Sequence, residues 1–187
     1  MALDSYAILR TSWIYSTNNC KSFIHKFLKN CIKKYTAATD KAHVSVGVTS
    51  NEYSIPTSCA FLVKCIDKVV HGNDRGVLHA VPSGDGLVDG VSRYDFAKAI
   101  LEGINRKTAL SRLSTILGNI LIEPTLNSGY YPTRSTLYPT FEFAGCWRYY
   151  LDEFIQKNLK NIEDYCMQIL EEETVPSQEA SKTETTA

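Results

Sequence analysis

Tyr6-Ala7-Ile8-Leu9-Arg10, running directly into Thr11-Ser12-Trp13, is the stretch that decides the fold. Its apolar run is too short for a helix and suits a buried strand that delivers a polar, aromatic loop at its carboxyl end. Ligands gather at such ends in open α/β sheets. Downstream, Phe23, Ile24, Phe27, Leu28, Cys31 and Ile32 recur at helical spacing, so residues 20–34 form an amphipathic helix whose lysines make a solvated face. His43-Val44-Ser45-Val46-Gly47-Val48 alternates as a strand, and a helix over 57–70 follows, with Thr57 as its N-cap. A second pair repeats the order: a strand over 76–80, then a helix over 92–104 with Tyr94, Phe96, Ala97, Ile100 and Leu101 on one face. Ile120-Leu121-Ile122 reads as a short strand, residues 127–133 as irregular, and residues 147–170 as one or two closing helices. Strands alternating with helices predict an α/β fold.

Composition narrows the function classes. The 187 residues carry 20 Lys+Arg and 20 Asp+Glu, and 44% are hydrophobic, which describes a soluble globular chain with a real core and no charge excess for nucleic acid. No run approaches the roughly 20 apolar residues that span a bilayer, and residues 1–5 do not resemble a secretion signal, so a cytoplasmic chain with no membrane partner is expected. From Glu171 onward the sequence turns to Glu, Ser, Thr, Gln and Lys, and 171–187 is expected to be a disordered acidic tail behind a 1–170 body. The six cysteines contain no Cys-x-x-Cys pair and no metal-ligand spacing with the four histidines, so they are read as reduced, mostly buried hydrophobes, with no metal site. Ser83-Gly84-Asp85-Gly86-Leu87-Val88-Asp89-Gly90 lies mid-chain, opens no βαβ unit and is read as a surface loop.

Taken together, Leu9-Arg10-Thr11-Ser12-Trp13-Ile14-Tyr15-Ser16, Ser54-Ile55-Pro56-Thr57, Gly76-Val77-Leu78-His79 and Ser92-Arg93-Tyr94-Asp95-Phe96-Ala97-Lys98-Ala99-Ile100 resemble the dTDP-4-dehydrorhamnose reductase family. Tyr131-Pro132-Thr133 and Trp147-Arg148 with Leu151 extend the resemblance over residues 6–155. It implies the C-terminal portion of a Rossmann-type extended short-chain dehydrogenase: the small substrate-binding lobe, with the N-terminal dinucleotide-binding half missing. The family reduces a 4-keto sugar on a nucleoside diphosphate with NADPH. Carried over residue by residue, Arg10 and Thr11 border the cofactor, Ser12, Trp13 and Thr57 contact substrate, and Arg134 reaches a phosphate. An indole suits the hexose, because its flat face packs on sugar C–H groups while its N–H donates to a hydroxyl.

The parts that would make a reductase are not in this sequence. No Gly-rich turn between a strand and a helix provides for a pyrophosphate. Tyr94 and Lys98 have the Tyr-x-x-x-Lys spacing, yet in the family this segment is a later structural helix, and the catalytic pair precedes the Arg-Thr-Ser-Trp strand. No catalytic residue is therefore assigned, and NADPH is not expected to bind this chain tightly alone. Phe61 stands where the family has an acid, and Arg134-Ser135 replaces an Arg-Pro pair. The expected ligand is a nucleotide-diphosphate sugar. The expected partner is a missing catalytic half, or a protein served by a non-catalytic module similar to the methionine adenosyltransferase regulatory subunit. A strand over 6–10 without its neighbours leaves an apolar edge, which favours self-association.

Overall fold

Parallel pairing of strands far apart in sequence organises the chain. The computed structural model describes residues 6–16, 22–83, 90–108, 111–129 and 134–174. In chain order the elements are β1 (Ala7–Arg10), β2 (Ile14–Tyr15), α1 (Phe23–Ala37), β3 (Val44–Thr49), β4 (Tyr53–Ser54), β5 (Thr57–Ser58) and α2 (Cys59–His71). There follow β6 (Gly76–His79), β7 (Val91–Ser92), α3 (Arg93–Lys107), α4 (Arg112–Gly118), β8 (Ile120–Thr125) and α5 (Trp147–Thr174). β1 pairs parallel with β6, β2 with β5, and β3 with β8, whereas β4 and β7 are antiparallel. Each parallel pair requires a helix-bearing crossover, which makes the architecture α/β.

The larger core forms around β3 and β8. Val44, Val46 and Val48 of β3 are buried on alternate positions, and α1 covers them with Ile24, Phe27, Leu28, Cys31 and Ile32. Each such side chain contributes about 1.5–3 kcal/mol on burial. α3, α4 and α5 complete this core, and Trp147 is wholly buried in it. A smaller core lies between α2 and the β1/β6 pair, where Phe61 meets Tyr150 edge-on at 4.9 Å. Phe61 is thus a packing residue. On the opposite face of the pair Tyr6, Ile8 and Val77 are each about half exposed.

Several elements differ from expectation. The α2 cap is Ser58 rather than Thr57: the Ser58 hydroxyl accepts from Phe61 N at 3.1 Å, whereas the Thr57 hydroxyl is turned back to donate to Ile55 O at 3.1 Å. α4 was not foreseen, β8 runs three residues beyond Ile122, and α3 continues to Lys107. α5 is one helix and reaches Thr174, so 171–174 are helical rather than tail, continuing a helix whose buried face includes Ile169 and Leu170. The rest of the expected tail, residues 84–89 of the expected Ser83–Gly90 loop, and Tyr131-Pro132-Thr133 lie outside the described residues. No helix among the described residues is long and apolar enough to cross a membrane.

Candidate functional site

Trp13, between β1 and β2, has φ at +39°, the one non-glycine residue of positive φ among those described. Such a conformation costs about 1–3 kcal/mol and persists where surrounding contacts over-determine it. Here the Trp13 carbonyl accepts from Thr57 N at 3.2 Å, and the Arg93 guanidinium lies over the indole at 4.4 Å. Phe96 stacks near Trp13 at 6.5 Å, and Phe23 stacks on Phe96 at 5.5 Å. A cation over an indole is an electrostatically favourable pair.

Arg93 opens α3 directly after its cap, Ser92, and faces the turn that follows β3. Its backbone N donates to Glu52 O at 3.1 Å and its Nε to Glu52 Oε2 at 2.5 Å. Asn127 Nδ2 donates to Glu52 Oε1. Burial acts to raise the Glu52 pKa, but the hydrogen bonds and charge of Arg93 and the amide of Asn127 outweigh it and hold the carboxyl below its ordinary value. Asn127 is itself fixed: its N donates to Asn51 Oδ1 at 2.8 Å, and its Oδ1 accepts from Gly129 N at 2.9 Å.

These groups enclose an open cleft of about 420 Å³ lined by Trp13, Glu52, Tyr53, Arg93, Asn127, Gly129 and Ser135. On the other side of the Trp13–Arg93 stack lies a cavity of about 230 Å³ that includes Tyr15, Ser22, Phe23 and Phe96. The cleft sits where β3 and β8 end in parallel, and its wall combines an indole, a carboxylate, a carboxamide and a guanidinium. An aromatic face beside hydroxyl-binding donors and acceptors suits a polyhydroxylated ring. Among the described residues no three His, Cys, Asp or Glu side chains converge in a metal-binding group.

The sequence matches the family model described as the RmlD substrate binding domain over residues 1–130. The chain belongs to this family. No curated protein matches it significantly. In fold it is similar to a dTDP-4-dehydrorhamnose reductase, an RfbD ortholog, from Clostridium acetobutylicum, at 22% identity and a TM-score of 0.61, over 82% of this chain and 49% of that one. The dTDP-4-dehydrorhamnose reductase from Bacillus anthracis, solved in complex with NADP, matches at 22% identity and a TM-score of 0.57 over the same shares. That from Yersinia enterocolitica matches at 18% and 0.50, over 80% of this chain and 48% of its own. The chain therefore spans about half the length of these reductases, and its α/β fold corresponds to their substrate-binding portion.

Within this RmlD substrate-binding domain the residues expected from sequence are partly brought together. Trp13 is on the cleft wall. Ser12 stands one step behind it, its hydroxyl bonded to that of Ser54, which donates to Ser135 O at 2.7 Å. Arg134 bridges to Tyr53 and holds its guanidinium 5.8 Å over that ring, beside the cleft residue Ser135. Thr57 is buried, with its hydroxyl bonded to Ile55 O, and meets the site only through its backbone. Arg10 is exposed at the end of β1, and the Thr11 hydroxyl is buried with no hydrogen-bond partner among the described residues. Tyr94 and Lys98 form an exposed-side pair on α3, the ammonium 5.4 Å from the ring. Glu52, Tyr53, Arg93 and Asn127 were not anticipated. For Glu52, Tyr53 and Asn127 the signal that could have found them is the rule that ligands lie beyond carboxyl ends of parallel strands, applied to the segments after β3 and β8; Arg93, at the start of α3, carries no such signal.

Proposed function

We propose that this RmlD substrate-binding domain binds a nucleotide-diphosphate sugar of the dTDP-4-keto-hexose class in the cleft at Trp13. The observation that carries the reading is Trp13 held in a strained conformation on a cleft whose wall also carries Glu52, Arg93 and Asn127. The hexose packs on the indole, Ser12 supports that loop, Thr57 holds the Trp13 carbonyl, and Arg134 at the Tyr53 rim takes the phosphates. A guanidinium is suited to a diphosphate because its fork donates to two oxygens together.

NADPH fits this chain along one edge only. Arg10 and the Thr11 hydroxyl, which has no hydrogen-bond partner among the described residues, border the position expected for it, but no Gly-rich turn in the sequence provides for its diphosphate. The bound cofactor would supply hydride, and this chain's residues would orient the ketone-bearing ring. Alone the chain is inactive, since substrate contacts do not replace a positioned hydride donor and proton donor. It works in the cytoplasm with a catalytic half, in the same chain or another. A second reading, a non-catalytic module that serves a partner protein, draws on the apolar face of Tyr6, Ile8 and Val77.

Tryptophan fluorescence tests the proposal. A dTDP-sugar is expected to quench saturably, the response disappearing in Trp13→Phe, while NADPH alone gives no saturable change. Absence of any nucleotide-sugar response, or one that survives Trp13→Phe undiminished, contradicts it.

A further inference from the structure

Glu52 and Arg93 place an acceptor edge and a donor edge side by side on one wall of the cleft. The pair is joined through Arg93 Nε and Glu52 Oε2 at 2.5 Å. The two terminal amino groups of Arg93 make no hydrogen bond with a described residue, and Arg93 lines both cavities. Glu52 accepts from Arg93 and Asn127 and keeps lone pairs on both oxygens, since a carboxylate offers about four acceptor positions.

The ligand group that suits such a wall follows from its charge. Guanidinium and carboxylate cancel, so any phosphate drawn to Arg93 also meets the Glu52 charge at close range. A hydroxyl escapes that conflict because it donates and accepts at once. Of two adjacent hydroxyls, one donates to Glu52 while the other accepts from an Arg93 amino group, and the ring carrying them packs its C–H face on Trp13. The cation suited to phosphate is Arg134, over Tyr53.

Resting on the nucleotide-sugar reading, we propose that Glu52 and Arg93 are the sugar-specificity element of the cleft, reading a pair of neighbouring hydroxyls on the hexose, whereas the diphosphate is bound on the Arg134 side. Glu52 and Arg93 also tie the start of α3 to the turn after β3, so the test must separate recognition from support.

Calorimetric titration of the full chain with dTDP and with dTDP-glucose, for the wild type, Glu52→Gln and Arg93→Lys, makes that separation. The wild type is expected to bind dTDP-glucose more tightly than dTDP. Each variant is expected to keep its dTDP affinity and to lose about tenfold for dTDP-glucose, the scale of one hydrogen bond to a charged group. Glu52→Gln keeps the shape of the side chain and Arg93→Lys keeps the charge, so if melting curves show one unfolded, the other decides. An equal loss for both ligands, or no loss, overturns the assignment. A wild type that binds dTDP and dTDP-glucose equally overturns it while leaving a nucleotide-diphosphate cleft intact. A wild type that binds neither overturns both the assignment and the proposed function.

Discussion

At Trp13 the backbone holds a left-handed conformation that L residues avoid, and the compensation comes from identifiable contacts: the Arg93 cation over the indole, Phe96 beside it and the Thr57 N–H on its carbonyl. Arg93 is kept in place by Glu52, and this pair gives the site a pH dependence of defined sign. The Glu52 carboxyl is more acidic in the folded chain than in the unfolded one, despite the opposing effect of burial. Its contribution to stability is therefore present above the ordinary carboxylate range and is lost as pH falls through the lowered native value. Urea unfolding of wild type and Glu52→Gln is expected to differ at neutral pH and to converge in acid; a gap independent of pH contradicts the ion pair's role. Trp13 was singled out through the resemblance of Arg10-Thr11-Ser12-Trp13 to the reductase family, since an aromatic residue at a strand end reads by itself as a core residue. Glu52 and Arg93 were not, because they lie 41 positions apart and meet only through the fold.

Among the elements, three helices start on a serine whose hydroxyl accepts from the backbone three residues on: Ser58 for α2, Ser92 for α3 and Ser111 for α4. Ser92 also donates to Asp95 Oδ2 at 2.6 Å and directly precedes Arg93. Ser92→Ala is expected to cost about 1 kcal/mol in urea unfolding, within the usual range for a lost cap. Thr57→Ala, whose hydroxyl does not cap, leaves the α2 start unchanged by amide exchange. The sequence places the α2 cap one residue early, since Thr57 and Ser58 are adjacent cap-forming residues and only the fold shows the Thr57 hydroxyl donating to Ile55 O and that of Ser58 accepting from Phe61 N. α1 and α5 bury Cys31 and Cys166, whose thiols burial pushes up to about 12 in each case. Both are expected to resist alkylation in the native chain and to react after denaturation, measured by mass spectrometry; rapid native labelling of either contradicts that packing. Helical periodicity made α1 and α3 legible, whereas α4 is only seven residues long and too short for a periodic pattern to show.

For the whole molecule, the α/β class was legible because strand and helix patterns alternate, but the partner of each strand was not, since β3 and β8 pair across about 75 intervening positions with no local signal of register. The β1/β6 pair is parallel and covered on one face only, and parallel sheets are ordinarily buried on both. Tyr6, Ile8 and Val77 on the open face are expected to drive association. Sedimentation velocity should show a mass that rises with concentration for the wild type and a monomer for an Ile8→Thr, Val77→Thr double variant; a wild-type monomer at every concentration contradicts this. The central claim concerns the cleft, and the chain has only two tryptophans, one on its wall and one wholly buried. The most direct test is therefore a heteronuclear NMR titration of the two indole N–H signals with a dTDP-sugar. A saturable shift of Trp13 with Trp147 unmoved is the predicted result, and a Trp13 signal that stays fixed to saturating ligand would contradict the account.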